Sequence, residues 1–369
     1  MADALVGPPM ADQTNHPQRA VPRKAASTTR DYRALARRVR RAGYFQRRYG
    51  YYWTRLVLTV AGFGGVWVGV VLLGDTWWQL ALAVAMAFVL AQLAFLGHDS
   101  AHRQIFRSWS WNEWTSRVLA NGLVGLSNAW WTLKHDAHHN APNQETRDPD
   151  IESRVIAFTP AAASSRRGFR RWFARRQGWF FFPLLTLEGL NLHVASLRAV
   201  LGRRPVARRA VEAPILLGRL VVYLAALFLL MPPALAGTFL AVQLAAFGVL
   251  LGGAFAPNHK GMPIVAADSR IDFLRRQVLM SRNIRGNPVV DVLMGGLNRQ
   301  IEHHLFPSMP RPALREVQPL VREHCDDLDI TYTEVGFFSS YATVIRYLND
   351  VEGSTREPFA CPVAASLGR

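Results

Sequence analysis

The sequence predicts an all-α integral membrane protein: four transmembrane helices in two hairpins, with a cytoplasmic helical cap that holds a histidine-rich dimetal site. Three observations carry this reading. Four long stretches are apolar and nearly free of charge, arginine concentrates beside them but is missing from the two outer turns, and seven of the 11 histidines fall in short clusters with repeated i, i+3, i+4 spacing, with His259 as an eighth at an equivalent depth. The spans are expected at about 56–73, 77–97, 214–231 and 234–255, the cap at 98–213 and 256–352, and tails at 1–30 and 353–369.

The formal net charge is +17, and nearly all the positive charge is arginine, the only lysines being Lys24, Lys134 and Lys260. Such a balance suits nucleic acid in the abstract. Here the arginines flank apolar spans, where anionic lipid headgroups and the positive-inside bias account for them, so no nucleic-acid partner is expected. Cys325 and Cys361 lie far apart in polar sequence, which excludes a disulfide framework and thiolate metal sites. The stretch up to Arg48 lacks the apolar core of a secretory signal, and residues 1–30 read as a disordered cytoplasmic tail.

Tyr32 to Arg48 mixes arginine with Leu35, Val39, Tyr44 and Phe45, a pattern expected to lie on the inner membrane surface. Tyr49, Tyr51, Tyr52 and Trp53 form an aromatic belt before the uncharged run Leu56 to Leu73. A crossing takes roughly 20 residues at about 1.5 Å each, so this run spans once its flanking residues are added. Gly74, Asp75 and Thr76 make the outer turn, and Trp77 to Gly97 returns with HDSAH at its inner end. Leu119 to Trp131 is apolar but short and is interrupted by Asn121, Ser127 and Asn128, which reads as a re-entrant or interfacial helix. HDAHH follows on the same side, then the acidic turn sequence PNQETRDPDI and the basic run Arg166 to Arg176, which suits anionic lipid.

Gly178 to Val200 decides the topology. It is long enough to cross, but Glu188, Asn191, His193 and Arg198 would each cost a few kcal/mol at the bilayer centre. Were it to cross, the histidines near residue 303 would face the opposite side from those near residues 98 and 135. It is therefore expected along the inner interface. Pro214 to Met231 and Ala234 to Phe255 form the second hairpin about Pro232 and Pro233, and His259 follows at a depth equivalent to His98. Val265 to Arg282 is expected as an amphipathic helix broken by RGNP, and Ala313 to His324 and Tyr332 to Asp350 complete the cap.

The histidine clusters are HDSAH (His98, His102), HDAHH (His135, His138, His139), the single His259 and QIEHH (Gln300, His303, His304). Residues three and four apart share a helix face, so each cluster can chelate. Eight imidazoles exceed what one ion can use, and two ions with roughly four ligands each are implied. Imidazole suits zinc, copper, iron and nickel. Carboxylates at Asp99, Asp136, Asp148, Asp150 and Glu302 are expected to accept imidazole N–H groups, with ordinary capping or solvation as the alternative for each.

In order and in placement relative to the spans, HDSAH, HDAHH with the downstream DPD, and QIEHHLFP resemble the three histidine boxes of the membrane-bound fatty acid desaturases. The resemblance covers roughly Tyr52 to Arg322. Gln300, where other members have a first histidine in the third box, is similar to the branch containing front-end and bacterial acyl-lipid and acyl-CoA desaturases. It implies a di-iron centre that uses O2 as co-substrate to remove two hydrogens from a methylene pair of a long acyl chain, with two electrons from a redox partner. Carried over by residue, His98 and His102 match the first box, His135, His138 and His139 the second, and His303 and His304 the third.

His259 resembles the extra ligand after the fourth span, but the asparagine expected four residues earlier is replaced by Phe255, with Asn258 adjacent. Gln300 is read as a hydrogen-bond donor behind the ligands, with weak ligation or a spacer role as alternatives. His193 is read as a hydrogen-bonded interfacial residue, with contact to the site as its alternative, and His324 as solvated. The haem-binding motif of fused cytochrome domains is not matched, only His16-Pro17 being present, so no bound haem is expected and the electron donor, a ferredoxin or cytochrome b5-like protein with its reductase, is expected to be separate.

The sequence thus predicts an acyl-lipid or acyl-CoA desaturase of a bacterial inner membrane, with its active site and both termini cytoplasmic. A di-iron lipid or carotenoid hydroxylase or ketolase is the nearest rival, because the same ligands can return oxygen to the carbon. A metal-binding membrane sensor is the non-enzymatic one.

Overall fold

A computed structural model describes residues 28–203 and 205–351. In chain order it contains α1 (Thr28–Arg41), α2 (Tyr49–Leu73), α3 (Gln79–Ala101), α4 (Trp109–Arg117), a π-helical turn (Val118–Val124), α5 (Asn128–Asn140), α6 (Pro160–Ser164), α7 (Gly168–Ala174), α8 (Gln177–Leu185) and α9 (Glu188–Leu201). Then come α10 (Arg209–Leu230), α11 (Pro233–His259), α12 (Phe273–Leu279), β1 (Asn283–Arg285), α13 (Pro288–Leu293), α14 (Gln300–Leu305), α15 (Arg311–Asp327), β2 (Glu334–Gly336) and α16 (Phe337–Asp350). The expected 1–30 tail lies outside the described residues except for Thr28–Arg30, which open α1, and the expected 353–369 tail lies outside them entirely.

Four helices, α2, α3, α10 and α11, are long and apolar enough to cross a membrane, with mean hydropathies of 2.3, 2.3, 2.2 and 2.1. The chain is an integral membrane protein. α2 shows apolar residues all round, with Val57, Leu58, Val68, Val71 and Leu72 exposed, as a lipid-facing helix must. α3 and α11 form the interior, where Met86, Leu90 and Phe95 join Phe239, Phe247 and Leu251 in one core. At the outer turn the chain bends at Gly74, whose φ of 57° favours glycine, and the buried Gln79 amide donates to Val70 O at 2.8 Å and Gly74 O at 2.9 Å. A helix end in a membrane needs such internal partners because no water is there to supply them.

The stretch that decides topology is two helices, α8 and α9, meeting at 68°. α9 runs against α11 at close range. A Cβ built on Gly248 would stand 2.2 Å from Leu185 O and 2.5 Å from Gly189 N, and one on Gly189 would stand 2.2 Å from Leu244 O. Backbone meets backbone here, so Gly248→Leu is expected to force α9 away and cost about 1–3 kcal/mol, read as a lower Tm of the detergent-purified protein. An unchanged Tm would mean that this contact is not made.

The expected interfacial helix over 119–131 is in fact split. The π-helical turn ends at Gly125, whose φ is 92°, and α5 starts afresh with Ser127 as its N-cap, accepting from Trp130 N at 3.3 Å. Glu212, fully buried on the first turn of α10, ties these pieces together. Its carboxylate accepts from Ser127 Oγ (2.8 Å), Ala129 N (3.0 Å), Asn121 Nδ2 (3.2 Å) and Arg117 Nε (3.4 Å). Arg219 closes the turn's carbonyl end by donating to Leu123 O at 2.7 Å. Two of the polar residues that interrupt this stretch in the sequence, Asn121 and Ser127, are therefore partners of one buried carboxylate, and the third, Asn128, accepts from Ser116 Oγ at 2.5 Å.

The cap departs from expectation in three places. α1 packs its apolar stripe on protein, not on lipid: Leu35 and Val39 are fully buried in a core with Leu274, Leu305, Val317 and Val321, and the Tyr32 hydroxyl donates to Leu305 O at 3.1 Å. The predicted helix over 265–282 is helical only in α12, because Val265 is held in an extended bridge to Gln144 and Asp272 caps the helix at Arg275 N. His324, expected in solvent, is buried with its Nε2 at 3.1 Å from Asp31 O. A short parallel ladder, Asn283 to Arg285 beside Glu334 to Gly336, joins the segment before α13 to the segment before α16.

Candidate metal centre

Each cluster is delivered by the end of a rigid element. His98 lies on the last turn of α3 and His102 caps it, donating its backbone N–H to His98 O. His135, His138 and His139 ride the last two turns of α5, His259 is the final residue of α11, and His303 and His304 sit on the fully buried α14. α14 is fixed from behind: Asn283 Oδ1 accepts from Ile301 N at 2.9 Å, and Glu302 accepts from Tyr332 OH at 2.6 Å and Asn283 Nδ2 at 2.7 Å. The Glu302 carboxyl is pushed up by its burial, against the pull of those two hydrogen bonds.

Two groups of histidines result. In the first, His98, His102, His135 and His303 each offer one ring nitrogen within 4.8 Å of the others; in the second, His138, His259 and His304 do the same. His139 lies between them, with its Nε2 at 3.0 Å from His135 Nε2 and its ring stacked on His304 at 4.2 Å and 16°. Burial, and then the proximity of other imidazoles, lowers His102, His135, His139, His303 and His304 well below the usual histidine range. These rings are neutral at pH 7, which is the form that binds metal.

The residues fit metal ions on two counts. His98 Nε2, His304 Nε2 and both nitrogens of His303 are buried without any hydrogen-bond partner. A buried polar atom left so is costly unless something else meets it. Moreover, His135 Nε2 lies 2.9 Å from His102 Nε2, and His138 Nε2 lies 3.2 Å from His259 Nε2. Metal–imidazole bonds of about 2.0–2.1 Å set neighbouring ligand nitrogens roughly 2.9–3.4 Å apart.

Behind the rings, Nδ1 atoms are tethered so that Nε2 faces inward. His138 Nδ1 meets both oxygens of the buried Asp148 at 3.0 Å, with Asp150 at 3.6 Å, and His98 Nδ1 lies 3.4 Å from Asp99, which also pairs with Arg311 at 2.6 Å. Of the other expected carboxylates, Glu302 serves Asn283 and Tyr332 instead, and Asp136 is exposed on the outer side of α5. Gln300 is brought to the second group, its Nε2 at 3.0 Å from His259 Nε2, and Asn258 donates to Gln300 Oε1 at 3.3 Å. His193 stands apart, its Nδ1 donating to Gly189 O at 2.7 Å and its Nε2 lying 3.4 Å from Val124 O.

Sequence reasoning missed two of the partners beside the rings, Met280 O and Gln277. His259 Nδ1 donates to Met280 O at 3.0 Å, and Trp131 stacks on His135 at 4.3 Å and 21°. His304 Nδ1 is bonded to Gln277 Oε1 at 2.8 Å, while Gln277 Nε2 donates to His139 O at 3.0 Å. No motif marks Gln277, which follows Arg275 and Arg276 in α12. Partners of this kind typically set metal affinity within about 10–100-fold, so Gln277→Leu is expected to weaken metal binding by about that factor, measured by metal competition on the purified protein. Unchanged affinity would remove Gln277 from the site.

The family model for fatty acid desaturases matches residues 75–336, which contains all eight of these histidines. The chain belongs to this family. Among similar proteins, this family member is 26% identical over 365 residues to a Delta(8)-fatty-acid desaturase of Helianthus annuus, covering 90% of this chain and 76% of that one. It is 33% identical over 293 residues to an acyl-lipid (9-3)-desaturase of Physcomitrium patens, covering 76% of this chain and 55% of that one. A Delta(8)-fatty-acid desaturase of Arabidopsis thaliana is 27% identical over 367 residues, covering 93% and 79%. These relatives are eukaryotic and lend no support to the expected bacterial inner membrane.

Proposed function

We propose that the chain is an oxygen-dependent fatty acyl desaturase, acting on an acyl-lipid or acyl-CoA, with two iron ions and electrons from a separate ferredoxin or cytochrome b5-like donor and its reductase. The observation that carries this reading is the convergence of eight imidazoles from four separate segments, seven of them in two adjoining groups with His139 between. In it, one ion is held by His98, His102, His135 and His303, the other by His138, His259 and His304, with His139 completing the site between them. Bound there, the iron pair supplies the O2 chemistry that removes hydrogens from an unactivated methylene pair.

The protein's own part is orientation and exclusion of water. Asp148, Gln277 and Met280 O hold ring nitrogens in the tautomer that aims Nε2 inward. Trp131 and Phe255 set apolar rings beside His98 and His135, with Phe255 at 6.3 and 6.5 Å from them, surroundings that suit a hydrocarbon chain. The arginine-free outer turns favour an orientation with this site and both chain ends in the cytoplasm.

Expression in a host of known lipid composition, followed by mass spectrometry of total acyl chains, tests the reading. New double bonds without hydroxylated products support it. Hydroxylated or ketonic products would transfer the chain to the rival chemistry, and metal uptake with no altered lipid would leave a binding protein.

A further inference from the structure

α11 ends on His259 inside the protein, so the carbonyls of its last turn need partners from outside the helix. Ala256 O accepts from Lys260 N at 3.0 Å, and His259 O accepts from Met262 N at 3.0 Å and from Asn143 Nδ2 at 3.1 Å. The remaining bonds come from one residue. Arg282 donates its backbone N–H to Asn258 O at 2.9 Å, its Nε to Pro257 O at 2.9 Å, and its Nη2 both to Pro257 O and, at 2.9 Å, to Lys260 O. Further back, Pro257 has no N–H to offer Gly253 O, and Tyr341 OH takes that place at 3.0 Å.

Arg282 is 2% exposed and faces no carboxylate among the described residues. A buried cation without a counterion is costly, and what offsets it here is the negative end of the 27-residue helix α11. A neutral amide could serve one of these carbonyls at lower cost. The planar guanidinium fork serves Pro257 O and Lys260 O together, on either side of His259.

The neighbours of Arg282 carry this clamp to the histidines. Met280 O accepts from His259 Nδ1 at 3.0 Å, while Asn283 accepts from Ile301 N at 2.9 Å and donates to Glu302 at 2.7 Å. The stretch 280–283 is therefore a splint between the end of α11, which carries His259, and α14, which carries His304. Its hold on α14 comes from Asn283, which is also paired with Glu334 in the ladder. Its hold on His259 depends on keeping the end of α11 in register with Met280, and that is where Arg282 acts.

We propose that Arg282 is a positioning residue for the second ion: by fixing the end of α11 against Met280, it keeps His259 Nε2 aimed at His138 and His304. The first group, His98, His102, His135 and His303, contains no residue of α11 and should not feel its loss. This role rests on the two-ion reading of the site, but not on the reaction carried out there.

The test is chelator titration of the full-length protein in detergent, loaded with iron(II) in the absence of oxygen, with ion content read by elemental analysis. Arg282→Gln is expected to weaken one ion by about 10–100-fold and leave the other at its wild-type affinity. Arg282→Lys, which keeps the charge but loses the fork, is expected to restore part of that affinity. In a His259→Ala background, Arg282→Gln should change ion binding no further, because the ring through which it acts is gone. Equal weakening of both ions, wild-type binding of both, or a full additional loss on top of His259→Ala would overturn the proposal. Should Arg282→Gln fail to fold, Arg282→Lys decides by the same comparison, alone and with His259→Ala. A wild type that holds two ions but makes no double bonds would end the desaturase reading and leave the role of Arg282 to the titration, whereas a wild type that holds fewer than two ions would overturn this role and the ligand assignment together.

Discussion

If the centre holds two iron ions as proposed, His303→Ala is expected to abolish activity and release at least one of them, while the protein still inserts and folds. The physical basis is unusual for so buried a residue. Both ring nitrogens of His303 lack hydrogen-bond partners, so its removal leaves no donor or acceptor of the fold unpaired. What it takes away is one of the four nitrogens of the first group. Iron content per protein, measured by elemental analysis beside a size-exclusion profile, separates the outcomes. Full activity with two ions retained would refute the ligand assignment, and a collapsed profile would show that the ring is needed for packing.

Glu212→Ala is expected to do the reverse, costing about 3–5 kcal/mol of stability although its carboxylate contacts none of the eight histidines. Arg117, nearly as buried, would lose the carboxylate that faces it from α10, and Ser127 Oγ, Ala129 N and Asn121 would lose an acceptor together. Since Ser127 caps α5, the helix that carries His135, His138 and His139 would lose its fixed start. Glu212→Gln, which keeps an acceptor but not the charge, should fall between. Thermal unfolding in detergent checks the order, and equal Tm values for all three forms would deny Glu212 this role.

Much of the site was legible in the sequence, for a specific reason. Chelating spacing on a helix is local, so HDSAH, HDAHH and QIEHH announce themselves without knowledge of the fold. The side to which they project followed from the count of apolar spans. Asp148 was within reach of the same reasoning, because the turn after α5 returns it to His138. Gln277 and Met280 O were not, since they come from α12, where nothing in the local pattern distinguishes a ligand's partner from an ordinary polar residue. The short helices of the cap were the least legible elements: α1 and the segment 265–272 carry patterns that fit lipid or helix equally well until a neighbour is known.

By itself, then, the sequence determined that the chain is helical, that it crosses a membrane, and which histidines have chelating spacing, because hydropathy and helical spacing are properties of short stretches. Only the tertiary structure decided how seven of the eight histidines divide into two groups with His139 between them, that Glu302 bonds Asn283 and Tyr332 and Asp136 is exposed, and that Gln277 and Trp131 meet the histidines. It also decided that α1 buries its apolar stripe in the cap. These outcomes depend on which surfaces meet across tens to hundreds of residues, and a burial preference is satisfied equally by lipid or protein until the packing of α3, α5, α11 and α14 selects one.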